Sequence, residues 1–141
     1  KWFAPILSFT TEEIYQLIGK KNSSIHLEEF LKFPKKFKNS ELYSKWTQLI
    51  KIRDICNLSI EEKRSSKVIG SSLEAALEIK LDKKNFELVK HVDLSELCIT
   101  SSAIILEHTT KDIFVNTTKA EGEKCQVCWK ISKKPCVRHS N

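Results

Sequence analysis

The stretch KVIGSSLEAALEIKL, residues 67–81, decides the fold because the spacing of its apolar side chains differs from that of the residues before it. Over residues 42–60, apolar side chains recur every three or four positions, which predicts a long helix that begins near Ser40 and runs for about twenty-five residues. Beyond Gly70, apolar and polar residues alternate through residues 75–81, and this alternation is typical of a half-buried strand. The sequence therefore predicts a helical first half and a strand-containing second half.

The predicted long helix carries one apolar stripe. Its members are Leu42, Trp46, Leu49, Ile52, Cys56 and Ile60. A stripe of this kind is a packing surface, and we expect Trp46 and Leu49 to pack against the helices that precede this one. Lys45, Lys51 and Arg53 lie off the stripe, where charged residues are usually solvated.

The segments on either side of this helix are shorter. Thr10 and Glu13 have the spacing of a capping box, which predicts a helix start there, and Gly19 is suited to end that helix. Residues 20–39 show no clear period and are predicted to form an irregular arm. After the first strand we expect a short helix over residues 82–91, then a strand over residues 97–106 and another over residues 113–117. The predicted fold class is α+β, a mainly α-helical bundle followed by a small strand-containing segment and a C-terminal metal-bound tip.

Composition narrows the class of protein. The chain has 24 basic and 18 acidic residues, a net charge of +6, which favours a polyanionic partner. Because lysine greatly outnumbers arginine, part of this excess has a purely compositional explanation as well. No apolar run is long enough to span a membrane, and no signal-peptide layout is present. The absence of methionine leads us to expect a fragment of a longer chain.

Cysteine spacing at the C-terminal end predicts a metal site. The pattern C-x2-C-x7-C-x2-H places Cys125, Cys128, Cys136 and His139 as two short knuckles. Four such ligands suit a closed, structural zinc site, and without zinc we expect residues 120–141 to be disordered. A redox pair, or incidental thiols beside a frayed histidine, would give the same spacing. The other two of the five cysteines, Cys56 and Cys98, are predicted to be core residues, and the clustering of the rest fits a reducing cytosol.

The predicted tip is also basic and aromatic. Its cations are Lys119, Lys124, Lys130, Lys133, Lys134 and Arg138. Cations neutralise phosphates and an indole stacks on unpaired bases, so this composition favours an RNA loop as partner. Trp129, directly after the second cysteine, equally suits a role as a cover over the metal cluster.

Three separated motifs carry a family resemblance. WFAPILSFTTEEIY, residues 2–15, resembles the anticodon-binding helical domain shared by isoleucyl-, valyl- and leucyl-tRNA synthetases. WTQLIKIRD, residues 46–54, followed by residues 67–81, is similar to the bacterial isoleucyl enzyme in particular. AEGEKCQVCWK, residues 120–130, resembles that enzyme's C-terminal zinc finger, a type also found in formamidopyrimidine-DNA glycosylases.

The resemblance implies an organisation and a function. It implies an anticodon-binding helical domain over residues 1–70, a small α+β junction domain over 71–118 and a zinc finger over 119–141. It also implies a monomeric, cytoplasmic class I synthetase that uses ATP and Mg²⁺ to join isoleucine to tRNA-Ile, with no catalytic residue in this stretch and a structural Zn²⁺ in the tip. In this family His139 would replace the usual fourth cysteine, and the spacer between the knuckles is shorter than usual. Arg53 matches the helix arginine of the family. Together with the basic and aromatic residues of the tip, it completes the candidate RNA-binding set of Arg53, Lys124, Trp129, Lys130, Lys133, Lys134 and Arg138.

Two other classes of function remain open at this point. A DNA-repair module of the glycosylase type would use the same finger and a basic tip, although the motifs in residues 46–54 and 67–81 are unlike such an enzyme. A protein-interaction scaffold with a structural zinc ion is the third possibility. Binding to tRNA, to duplex DNA or to neither separates the three.

Overall fold

In the computed structural model, which describes residues 1–19 and 23–139, the predicted long helix is present as α2, Ser40–Ser65. The stripe residues Leu49, Ile52, Cys56 and Ile60 are buried, as predicted. They pack in one core with the strands that follow, so the expectation that Leu49 packs against the preceding helices is wrong. The reason is that the next strand presents a matching apolar face. Trp46, at the N-terminal end of the stripe, remains 46% exposed.

A three-stranded sheet supplies the other side of this core. Strand β1, Ala75–Asp82, lies in the centre, parallel to β2, Ser102–His108, and antiparallel to β3, Phe114–Lys119. Alternate residues of β1, beginning with Ala75, are buried, which confirms the predicted half-buried strand. The sheet therefore covers α2 with one face.

The crossover from β1 to β2 is helical. It contains α3, Lys83–Val89, as predicted, and then a one-turn helix α4, Leu94–Leu97, which ends at the residue where the second strand was predicted to begin; β2 begins at Ser102 instead. The prediction was wrong there because the Asp93 carboxylate caps α4, accepting hydrogen bonds from the backbone N–H groups of Ser95 and Glu96. The short α4 lies beside the strand ends that hold the tip.

The first of two compact units, Lys1–Asn39, has its own small core. Its helix α1 spans Ser8–Leu17 and begins before Thr10, so the predicted capping box is wrong: the N-cap is Leu7, with no side-chain cap. The turns that precede the helix already supply acceptors, since the Thr11 hydroxyl and N–H both donate to the Leu7 carbonyl. Gly19 has φ +90°, the left-handed conformation expected at a helix end.

The rest of this unit is mostly irregular, as predicted. Over residues 23–39 the only regular elements in the described chain are the 3-10 turns Ile25–Leu27 and Lys35–Phe37. Residues 20–22, the start of the predicted arm, lie outside the described residues. The second compact unit is Ser40–Asn141, and the domain boundaries at residues 70 and 118 stay predictions. Among the described residues, no helix combines the length and apolarity needed to cross a bilayer.

Candidate metal centre

The tip, which we define as residues 120–139, is built on a short hairpin. Strand β4, Glu123–Lys124, pairs antiparallel with β5, Ile131–Ser132. Gly122 precedes it with φ +124°, and a Cβ atom there would lie 2.2 Å from the carbonyl carbon of Ser132. Only glycine permits this close approach of the two backbone segments. The hairpin thus depends on a residue without a side chain.

Two tight turns present the candidate ligands. In the first, the Cys125 N–H donates to the Lys130 carbonyl at 2.9 Å, and the Trp129 N–H donates to the Cys125 carbonyl at 3.0 Å. In the second, the His139 N–H donates to the Cys136 carbonyl at 3.1 Å. Each turn directs two side chains into the space between the knuckles.

The four predicted ligands come together there. The ligand atoms of Cys125, Cys128, Cys136 and His139 all lie within 4.8 Å of one another. The Sγ atoms of Cys128 and Cys136 are 3.7 Å apart, and His139 Nδ1 lies 3.6 Å from Cys125 Sγ and 3.4 Å from Cys136 Sγ. A tetrahedral zinc ion requires about 3.8 Å between two sulfurs and about 3.6 Å between sulfur and nitrogen, from its usual bond lengths. The donor set and its spacing therefore fit zinc.

The thiols of the cluster differ in their proton affinity. Backbone N–H groups of Cys128 and Val127 directed at the Cys125 sulfur lower the pKa of that thiol to about 6. At Cys128 the backbone N–H of Lys130 favours the thiolate, but desolvation and the neighbouring thiols Cys125 and Cys136 outweigh it and raise the pKa. A bound divalent cation would favour the thiolate form of its sulfur ligands, because it offsets the repulsion between neighbouring thiolates.

The predicted RNA-binding cations have different surroundings. Lys130 Nζ lies 2.7 Å from Glu96 Oε1, and Arg138 Nη2 lies 3.3 Å from the same oxygen. Lys133 pairs with Glu121 at 2.5 Å, and both side chains are 74% exposed. Lys130 and Arg138 thus contact α4, in the body of the second unit, whereas Lys133 pairs with a residue on the exposed rim of the tip itself.

The other predicted RNA-binding residues also differ in their surroundings. Lys124 Nζ lies 5.6 Å from the ring centroid of Trp129, whose side chain is 58% exposed. Lys134 is exposed, and its backbone N–H donates to the Ser132 hydroxyl. Arg53 is not part of the tip, because it lies on α2, half-buried, and its Nε donates to the Leu97 carbonyl at 3.0 Å. The indole of Trp129 is thus presented to solvent, with a cation beside it.

Comparison with known proteins identifies the helical part of the chain. Residues 1–81 match the family model described as the anticodon-binding domain of tRNA ligase. The chain belongs to this family. The match spans α1, α2 and most of β1, so the anticodon-binding family assignment covers the core helix against which the sheet packs.

Isoleucine–tRNA ligases are among the proteins to which this chain is similar. It is 62% identical over 141 residues to the isoleucine–tRNA ligase of Pelagibacter ubique, covering 100% of the chain and 16% of that protein. It is 39% identical over 132 residues to the enzyme of Methylacidiphilum infernorum, covering 94% of the chain and 14% of that protein. For Fervidobacterium nodosum the identity is 40% over 141 residues, covering 92% of the chain and 15% of that protein. The chain therefore spans about one sixth or less of the length of these relatives.

Sequence reasoning missed two residues that hold the tip of this family member. The Ile131 N–H donates to the Ser101 hydroxyl at 2.6 Å, and that hydroxyl donates to the Leu73 carbonyl at 2.5 Å. Glu96 accepts from two tip cations. Because these partners are about thirty residues from the tip in sequence, no local spacing pattern could have identified them.

Proposed function

We propose that the chain is the tRNA-binding C-terminal portion of an isoleucine–tRNA ligase. The observation that carries this proposal is the identity of 62% along the whole chain to one such ligase. The longer protein would activate isoleucine with ATP and Mg²⁺ and transfer it to tRNA-Ile in the cytoplasm, as a monomer. This chain would contribute binding to the tRNA and none of the reacting groups.

The tip would hold one structural zinc ion in this proposal. Cys125, Cys128, Cys136 and His139 supply four donors, which leaves no coordination position open for substrate. The zinc ion would fix both knuckles in one geometry. Since no tip residue belongs to the apolar core among the described residues, metal coordination would be the main source of order there.

The exposed surface of the tip would contact the RNA. Lys124, Lys133 and Lys134 are exposed cations that can neutralise phosphates, and the Trp129 ring can stack on an unpaired base. A contact of this kind suits a tRNA loop, whose bases are splayed outward. Arg53, Lys130 and Arg138 contact acceptors outside the tip, whereas Lys133 pairs with Glu121 of the tip itself, so phosphate contact by those three is a separate prediction from sequence.

Titration of the zinc-loaded chain tests this function. We expect the tightest binding for a tRNA-Ile transcript, weaker binding for a second tRNA, and affinity that falls steeply as salt rises. Fluorescence anisotropy at several salt concentrations measures all of these quantities. Preference for duplex DNA would instead support the repair-type module, and absence of binding to any nucleic acid would support a protein-interaction scaffold.

A further inference from the structure

One carboxylate binds both knuckles of the tip to the body of the second unit. Glu96 Oε1, on α4, lies 2.7 Å from Lys130 Nζ and 3.3 Å from Arg138 Nη2. Lys130 follows the first pair of cysteines, and Arg138 directly precedes His139 in the second knuckle. A single acidic side chain therefore constrains both halves of the metal site.

Lys130 links the metal site to α4 within one residue. Its carbonyl accepts from the Cys125 N–H, its own N–H points to the Cys128 sulfur, and its ammonium contacts Glu96. The Lys130 side chain is only 26% exposed, against 74% for Lys133 on the rim. The Lys130 ammonium is thus directed toward protein and is less exposed than that of Lys133.

A second, uncharged contact lies beside the first. The Ser101 hydroxyl accepts from the Ile131 N–H in β5 and donates to the Leu73 carbonyl, which precedes β1. Since Ser101 directly precedes β2, this relay joins the tip hairpin to the sheet. Two independent contacts, on adjacent residues of the tip, therefore restrict its orientation on the unit.

We propose that Glu96 and Ser101 are positioning residues that seat the metal-binding tip on α4 and the sheet, and that Lys130 and Arg138 serve this seat instead of binding phosphate. The seat fixes the orientation of the tip, which carries the exposed side chains of Lys124, Trp129, Lys133 and Lys134. Its effect on tRNA affinity rests on the proposed function, whereas its effect on the mobility of the tip does not.

The variant Glu96→Gln distinguishes the two roles by the sign of its effect. If Lys130 and Arg138 bind phosphate, removing the negative charge beside them raises affinity for tRNA-Ile. If Glu96 seats the tip, the same variant lowers affinity about tenfold, the scale of one charge-assisted hydrogen bond. Glu121→Gln is the matched control, because it removes an acidic side chain from the exposed rim, and we expect its affinity to be unchanged or slightly higher.

Salt dependence provides a second test. Replacing a phosphate-binding lysine reduces the slope of log affinity against log salt by about one. For Lys130→Gln we expect lower affinity with an unchanged slope, and for Lys134→Gln we expect the slope to fall. A reduced slope for Lys130→Gln, or tighter binding by Glu96→Gln, overturns the proposal.

Hydrogen exchange tests the seat without RNA. In the zinc-loaded chain we expect Glu96→Gln and Ser101→Ala to speed exchange of the Ile131 amide about tenfold while the zinc content stays stoichiometric. Exchange as slow as in the unaltered chain overturns the seat, and faster exchange with unchanged tRNA affinity overturns its role in orienting the RNA-binding residues. If the unaltered chain binds no tRNA, the proposed function fails and the exchange rates alone decide whether the seat exists.

Discussion

Trp129 occupies a backbone conformation that normally belongs to glycine. Its φ of +65° lies in the left-handed region, where a bulky side chain costs about 1–2 kcal/mol. The conformation is imposed by the knuckle, since the Trp129 N–H must reach the Cys125 carbonyl. A large aromatic residue kept at such a position, with 58% of its surface exposed, favours a role in contact with a ligand.

Replacing Trp129 by glycine should separate stability from binding. We expect Trp129→Gly to relieve the left-handed strain and tighten zinc retention by about 1 kcal/mol, while tRNA affinity falls by about 1–3 kcal/mol through the lost stacking. Chelator competition measures the first quantity and anisotropy titration the second. Trp129→Phe is the control that keeps an aromatic ring. Unchanged tRNA affinity in the glycine variant would leave the indole with a structural role only.

Among the helices and strands, those with a regular apolar pattern could be predicted from the sequence. Helix α2 and strand β1 were predicted closely because each shows a strong, uninterrupted apolar period with one buried face. The start of α1 was not, since turns before Ser8 displaced the capping box suggested at Thr10. Helix α4 was missed because a single turn is too short for a period, and its cap, Asp93, was the only local signal.

The partner of the α2 stripe can be tested at Ile52, which is fully buried among residues of the sheet core. We expect Ile52→Ala to lower the free energy of unfolding by about 2–5 kcal/mol, because it leaves a cavity in that core. Urea denaturation followed by circular dichroism measures this. Leu58→Ala is the matched control on the same helix, since Leu58 is 67% exposed, and its effect should stay within about 0.5 kcal/mol. Similar losses in both variants would contradict this packing.

Glu12 should make α1 sensitive to acid. Its carboxylate accepts from Gln16 Nε2, from the Ser24 hydroxyl and from the Ile25 N–H, which joins α1 to the first 3-10 turn. The Gln16 contact, then that of Ser24, lowers the pKa of Glu12 below its ordinary value of 4.5. A carboxyl with a lowered folded pKa stabilises the fold above that ordinary value, and this contribution is lost as pH falls through the lowered pKa.

The Ile25 amide resonance is the direct probe of this linkage. We expect its chemical shift to titrate with the pKa of Glu12, below 4.5. In Glu12→Gln, which cannot ionise, that acid transition should be absent. A titration centred at or above the ordinary pKa of 4.5 in the unaltered chain would refute this hydrogen-bonded link between α1 and the first 3-10 turn.

For the molecule as a whole, the clustering of the four candidate metal ligands was predictable from the sequence and the attachment of the tip was not. Cys125, Cys128, Cys136 and His139 are spaced as two knuckles, and chemistry requires those residue types at such a spacing. Glu96, by contrast, meets Lys130 across 34 positions of sequence, and many acidic residues are equally available in the composition. Long-range pairing of this kind is set by the topology of the sheet.

Metal removal should separate the tip from the rest of the second unit. The core of that unit, from Leu49 to Cys98, includes no residue of the tip among those described, so the two should lose structure independently. We expect a zinc chelator to abolish amide protection over residues 123–139 while residues 49–60 stay protected, and added zinc to restore it. Hydrogen exchange with mass spectrometry measures both segments at once.

Replacing one candidate zinc ligand tests the same independence of the tip without a chelator. Cys128→Ser removes one of four donors and should abolish stoichiometric zinc, with the same loss of protection in the tip, whereas Cys98→Ala, at a buried position outside the cluster, should keep the metal. Simultaneous loss of protection in α2 and the tip would show that the ion stabilises the whole unit. Retention of protection in both segments after chelation would show that Glu96 and Ser101 hold the tip without it.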